Sequence, residues 1–583
     1  MLVERLRSPI WIFAGLALWL ALGMGLRLPW PADEPRFVLM AQEMLLSGDW
    51  LLPHRGAELY AHKPPLFIWL IAASIGLVGN IKVAFLLPSL LAGIGTLGLV
   101  FDLCRRLYGP RAALATLLLL ATTVQFVLQT KTAQVDMLLT FFITAGLYGL
   151  IRHWVLGPDW RCYTLAFVAM GFGCLTKFVG FLPLFMGLPL LYLCWKHPQQ
   201  IHFKLGARTL LLPLVLLGPL MLWLIPVALR LAGETDPALE NYFHELIVGQ
   251  TLNRYAGDYG HHRPWHYYFS SVIPLFWLPW SLLLPFLALP WWRAMKRGEP
   301  TQILLLGFVT LVLLFYSITP SKRGVYILCC LPALSIAAAP HLQALWERVW
   351  PRRLLWGLVL LLSLLALIGS ALPSKIYLHI RDFSEQTSLL LPLRLLLATL
   401  AAGLGLILWR LPASASRHAW PAAAMVLWSG YSLVGYPLLD PLRSPVATMA
   451  QIARQLPASA QLAIVNFREQ HLLLADRPVT HFGFFSDKEL QVQAAAHWLR
   501  AAPGRFVLVP GDKAQDCFDT SRGVALDTEA RWQWVLLGAD ALRPECPSSA
   551  LLQAYQAPWY GLMPPARSGL AAARNVRSEP AAH

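Results

Sequence analysis

The residues most able to do chemistry sit in a few short stretches. The first reads PADEPRFVLMAQEML and carries Asp33, Glu34 and Arg36 just past an apolar run. About thirty residues on, Tyr60 and His62-Lys63-Pro64-Pro65 place a phenol and a cation beside a turn that two prolines stiffen. Lys131 and Asp136 flank another short polar break, Lys177 ends a further apolar run, and Lys322-Arg323 fill a later turn. Cations gathered at a membrane edge suit a phosphate, and carboxylates beside them suit a hydroxyl or an amine. A single Lys at a helix end is accounted for by snorkelling. It is the collection of at least four cations and three acids on one side that points to a site.

Those residues need elements to hold them. The chain has 583 residues, 57% hydrophobic and 13% charged, against roughly a quarter charged in soluble proteins. That composition excludes a water-soluble globule, and equally a disordered chain, which needs low hydrophobicity. Runs long enough for a bilayer core fall near 8–28, 83–103, 112–129, 135–152, 162–178, 180–195, 209–229, 268–290, 301–319, 324–340, 354–372, 390–409 and 421–437. This predicts a multi-span α-helical membrane protein with about 13 transmembrane helices. The first run has Arg5 and Arg7 ahead of it and no small-residue cleavage site, so it reads as an anchor. Residues 65–79 are apolar but short, and their crossing would put Arg105, Arg106 and Arg111 outside; they read as an interfacial helix. With that choice, nearly all of the +16 formal charge lies in inner loops, where it sets orientation. Nucleic acid is not needed to explain it.

Residues 1–439 are therefore expected to form the membrane domain, with outer loops 29–82 and 230–267, and 440–583 a small periplasmic α/β domain. In the latter, β-type runs at 462–467, 479–484, 505–511 and 532–539 alternate with helical stretches such as 487–501, and the Ala/Arg/Pro-rich end reads as disordered. The stretch 36–47 has the spacing of an amphipathic helix on the membrane. Six of eight cysteines lie in or beside spans, whereas Cys517 and Cys546 both lie outside, where an oxidising compartment favours a disulfide. His261, His262 and His266 could ligate a metal or belong to an aromatic-rich interfacial collar. Nucleotide-phosphate loops, dinucleotide fingerprints, G-x-S-x-G and H-E-x-x-H are absent from the sequence, so any sugar donor should be lipid-linked.

The order of these motifs resembles the class C integral-membrane glycosyltransferases, in the branch of the lipid A aminoarabinose transferases and the protein mannosyltransferases. It is carried by the Asp-Glu pair, the Arg three residues past the Asp, the Lys-Pro-Pro turn, TKTAQVDMLLTFF at 130–142, CLTKFVGF at 174–181, HHRPWHYY at 261–268 and SKRGVYILCCLPAL at 321–334. The resemblance implies an undecaprenyl-phosphate-linked sugar as donor, lipid A or another envelope acceptor, inverting transfer, and action at the periplasmic face of the bacterial inner membrane. It implies Asp33 as catalytic residue with Asp136 as the second acid and Lys63 at the donor phosphate. The resemblance adds Arg36, Tyr60 and Lys322 or Arg323 to the substrate site, and the charges gathered at the membrane edge add Glu34, Lys131 and Lys177. It also implies zinc at His262 and at the residue before the Lys-Pro-Pro turn, which is His62 here where the family has Glu. Phe37 likewise stands where the family usually has Tyr. Two other readings remain: a different acceptor within the superfamily, such as a protein hydroxyl, and a flippase of the lipid-linked sugar. Against the flippase, no inverted repeat is visible and the charges gather at one face.

Overall fold

The computed structural model describes residues 9–233, 242, 244–246, 249, 262–374, 376, 387–512, 514, 516–529, 532–546 and 552–563. Most of the loop 230–267, His261 among it, and the C-terminal tail expected to be disordered lie outside the described residues. The chain divides into two compact units. One is Met1–Arg27, Ala61–Leu70 and Lys82–Leu438; the other is Leu28–Tyr60, Ile71–Ile81 and Leu439–His583.

The first unit is a bundle of apolar helices. Eight helices among the described residues are long and apolar enough to cross a bilayer, or ten if two bent pairs, Pro110–Ala121 with Val124–Thr130 and Tyr268–Phe276 with Trp280–Lys296, each count as one crossing. Three further runs expected to span fall on shorter helices, Pro9–Ala21, Trp160–Thr176 and Gly187–Lys196. Their interiors differ as their surroundings require. The most apolar stretch of Gly324–Glu347 is 83% buried, so it runs through protein, whereas those of Val349–Ala371 and Thr387–Arg410 are 17% buried and present Leu and Trp outward. A helix that is apolar all round and largely exposed has lipid as its solvent. The interfacial segment expected at 65–79 is the helix Leu66–Val78; its 13 residues reach only about 20 Å.

Basic residues recur in the last turns of these helices: Arg105 and Arg106, Arg152 and His153, Lys196, Arg293 and Lys296, and Arg410. Cations there complement the carbonyl end of the helix dipole.

The second unit joins the first loop to the C-terminal chain. The helix Glu34–Ser47 is stopped by Gly48 in the left-handed conformation. A two-residue hairpin follows, β1 (His54–Arg55) with β2 (Glu58–Leu59). Its turn holds Gly56 at φ +67°, and a Cβ there would stand 2.6 Å from His481 Nε2, so only glycine fits. The C-terminal chain contributes β3 (Gln461–Ile464), β4 (Val479–His481), β5 (Arg505–Pro510), β6 (Val524–Glu529), β7 (Trp532–Leu537) and β8 (Tyr555–Ala557), ordered 6-7-5-3-4-8 in one sheet. Strands β4 and β5 run parallel to β3, while the edges are antiparallel. The helix Lys488–Arg500, capped by Asp487, buries Val492, Ala495, Ala496 and Leu499 in a core with Val507, Val509 and Leu537.

Cys517 and Cys546 are disulfide-bonded across 29 residues, as expected, and pack into that core. Closing a loop of that length stabilises by about 3.5 kcal/mol in the chain-entropy account. Replacing both by Ser should lower amide-exchange protection in β5 and β7 by a free energy of that order. Protection unchanged from wild type would show that the bridge adds nothing.

Candidate active site

Two groups of charged residues emerge, one in each unit. In the membrane unit, Asp136 opens the helix Val135–Trp154, where the dipole favours a carboxylate. Lys177 follows the last residue of Trp160–Thr176, and its amide donates to the Gly173 carbonyl. The chain then doubles back so closely that a Cβ on Gly180 would strike the backbone of Gly173 and Cys174. This places Lys177 Nζ 2.8 Å from Asp136 Oδ1 and 4.1 Å from the centroid of the Tyr326 ring. Both side chains are more than nine-tenths buried. Lys63 and Arg323 also act electrostatically on the Asp136 carboxylate. One buried acid is thus paired with Lys177 and felt by two further cations, a positive setting that suits a phosphate.

The turn that carries Arg323 is tightly secured. Lys322 Nζ donates to the carbonyls of Thr319 and Arg263, the Gln125 amide donates to the Gly324 carbonyl, and His262 pairs its backbone with Ser321. Of the two cations expected in this turn, Lys322 holds the backbone while Arg323 faces the acid. Lys131 is engaged elsewhere: its ammonium donates to the Leu22 carbonyl, and its own carbonyl accepts from Arg27. It ties down the end of the first apolar helix.

The zinc expectation gains no support from the described residues. Among the described residues, no three His, Cys, Asp or Glu side chains gather as ligands. His262 is exposed and held through its backbone, and His62 is half-buried. A protein zinc site needs three or four donors, and His62 and His262 would supply two.

In the second unit Asp33 stands at the N-terminus of Glu34–Ser47, 6% exposed. Arg36, one turn on, approaches it at 3.7 Å and donates from Nε to Glu469 Oε1 at 2.6 Å. Arg55 from β1 lies 4.0 Å from the same Glu469 carboxylate and 3.6 Å from Glu58, with its guanidinium over the Phe484 ring. Tyr60 is buried among these charges; burial pushes its phenol above the ordinary value, with Arg36 and Arg55 opposing. Glu34 is used structurally, accepting the Trp30 amide at 2.7 Å. The spacing of the sequence missed Arg55, Glu58 and Glu469. Glu469 lies 433 residues from Arg36, and no local pattern links them.

Another buried carboxylate of this unit is Glu43. Glu43 accepts from the Ala57 amide and the Tyr560 hydroxyl. Burial, against those hydrogen bonds, pushes its pKa up to about 7. A carboxyl with a raised folded pKa favours the fold when protonated, and that contribution is lost as pH rises through about 7. Glu43→Gln should therefore gain stability relative to wild type by roughly 2–3 kcal/mol between pH 5 and 8. Since His481 titrates alike in both proteins, it drops out of the comparison. A gap that stays constant with pH would refute the buried-carboxyl account.

Comparison with known proteins identifies the family of the chain. The family model described as dolichyl-phosphate-mannose-protein mannosyltransferase matches residues 62–236. The crystal structure of ArnT from Cupriavidus metallidurans bound to undecaprenyl phosphate superposes with TM-score 0.70 at 20% identity, covering 90% of this chain and 97% of that one. The undecaprenyl phosphate-alpha-4-amino-4-deoxy-L-arabinose arabinosyl transferase of Pseudomonas paraeruginosa is 32% identical over 415 residues, 68% of this chain and 70% of the relative. The chain belongs to the ArnT family of membrane glycosyltransferases. The similarly named protein of Edwardsiella ictaluri is 28% identical over 77% of the chain. The matched stretch 62–236 takes in Lys63, Lys131, Asp136 and Lys177. ArnT-family membership makes the chain an enzyme of the glycosyltransferase class, and the ArnT fold accounts for both the helical bundle and the mixed sheet.

Proposed function

We propose that this protein transfers 4-amino-4-deoxy-L-arabinose, or a closely related sugar, from undecaprenyl phosphate to lipid A at the periplasmic face of the inner membrane. The observation that carries this reading is the buried Asp136 carboxylate among Lys177, Lys63 and Arg323, a cationic group fit for the phosphate of a lipid-borne donor. In this reading thirteen crossings place the loop 29–82 and the domain 440–583 outside, and the three shorter helices complete the count.

Transfer breaks the bond between the anomeric carbon and the carrier phosphate oxygen and forms a bond from the same carbon to the acceptor oxygen. Attack from the opposite face inverts the centre. Lys63, Lys177 and Arg323 stabilise the negative charge left on the departing undecaprenyl phosphate, the largest charge change in the reaction. Asp33, held by Arg36, orients the acceptor or accepts its proton where the acceptor is a hydroxyl. An ionised phosphate on lipid A brings no proton, and there Asp33 orients the sugar.

The test is transfer by the purified chain in detergent, with the undecaprenyl-phosphate-linked aminosugar as donor and lipid A as acceptor. The expected product is lipid A heavier by one aminosugar residue. A product seen only with a protein acceptor would replace lipid A in this reading. Movement of donor across vesicles without any product would replace transfer itself.

A further inference from the structure

A second charged site lies in the membrane unit, apart from the acids and cations above. The helices Leu87–Tyr108 and Val135–Trp154 end here, and Trp160–Thr176 begins. An open cleft of about 340 Å³ is lined by Arg106, Arg152, Leu156, Gly157 and Asp159. That volume lies within the range of small-molecule sites, about 300–1,000 Å³.

Its charges do not cancel. Asp102 is shared between Arg105 at 3.0 Å and Arg106 at 2.6 Å, and it also accepts from the Tyr148 hydroxyl. Arg152 pairs with Asp159 at 2.7 Å, but the other oxygen of Asp159 accepts the Cys162 amide and starts a helix. Three guanidinium groups therefore face two carboxylates, one of them already committed to the backbone. Arg105 and Arg106 remain nearly half exposed despite their pairing. Exposed Arg161 and Arg208 add to the same sign, the latter 5.7 Å from the Trp160 ring centroid.

The surroundings are those of a bilayer edge. His153 stacks on Tyr163 and meets Trp160, and Trp154 meets Phe203, which together form an aromatic cluster beside the cleft. Leu156 on the rim is exposed. Aromatic rings of this kind sit at headgroup level, and basic pockets at helix ends attract anionic headgroups.

We propose that this cleft binds the phosphodiester of an anionic phospholipid, with Arg106 and Arg152 gripping the phosphate and Leu156 meeting the acyl chains. The site is separate from the transfer reaction. It anchors the end of the bundle where the basic loops lie, the loops expected on the cytoplasmic side.

The test uses the full chain in detergent, titrated with phosphatidylglycerol or phosphatidylcholine and read by native mass spectrometry. Phosphatidylglycerol should bind preferentially. R106Q combined with R152Q should weaken its binding roughly 10- to 30-fold, at about three- to fivefold per charge, with phosphatidylcholine unaffected. D102N, which frees Arg105 and Arg106, should tighten it, an opposite change that misfolding does not produce. Sugar transfer without added phosphatidylglycerol should match wild type in D102N. Equal phosphatidylglycerol binding by wild type and the double variant would overturn the proposal. Displacement by excess inorganic phosphate would assign the site to a soluble phosphate and overturn the lipid.

Discussion

Asp33→Asn is expected to abolish sugar transfer while the protein still inserts into membranes at wild-type yield. The substitution keeps the size of the side chain, and Asp33 makes no side-chain capping bond to the helix, so Glu34–Ser47 retains its geometry. It removes the negative charge that faces Arg36 at 3.7 Å and the only form of the group able to take a proton. A positioned general base contributes about 10²–10⁴-fold where the acceptor is a hydroxyl, and loss of an orienting contact can cost about 10²-fold where it is an ionised phosphate. Turnover should therefore fall at least 10²-fold, read as product per enzyme at saturating donor. Glu34→Gln is the matched control, because Gln still accepts the Trp30 amide that Glu34 receives, and it should keep most of its activity. Full turnover by Asp33→Asn would remove Asp33 from the mechanism.

Lys177→Met is expected to damage both the fold and the reaction. It leaves Asp136 buried without its 2.8 Å partner. Breaking a buried pair from one side costs about 3–5 kcal/mol. Lys63 and Arg323 still act on that carboxylate, so a value near the lower end is expected, seen as a lower thermal midpoint in detergent. Adding Asp136→Asn to Lys177→Met removes the stranded charge and should recover much of the midpoint. It should not recover transfer, because the phosphate would still lack one of its cations. If the single variant melts with wild type, the pair is not the buried contact described above.

Much of the architecture was legible because it follows from short-range physics. Apolar runs of about twenty residues announce helices by length alone. Each of the four β-type runs in the C-terminal chain contains a strand, since alternation and β-branched residues act locally. β6 and β8 were not anticipated: one is interrupted by a bulge against β7, and the other is only three residues long. The Cys517–Cys546 pairing was legible because only those two cysteines lie in the C-terminal chain beyond the apolar runs.

The candidate site was legible in part. The spacing singled out Lys177 and Asp136 as charges at one membrane edge, and the structure brings them into contact. It could not separate Lys322 from Arg323, because the difference lies in which carbonyls a backbone turn offers to the ammonium. Nor could it find Glu469 or Arg55. Their pairing depends on how the first loop and the C-terminal chain fold together, which no periodicity in either segment records.

The bond from Arg36 to Glu469 has a consequence for inheritance. A buried carboxylate is costly to part from its guanidinium, and Arg36 is the nearer of the two cations on Glu469. Swapping C-terminal domains between relatives should therefore yield working hybrids only when the acceptor carboxylate travels with a matching arginine. Positions 36 and 469 form a lock and key that evolution would have to recut as a pair.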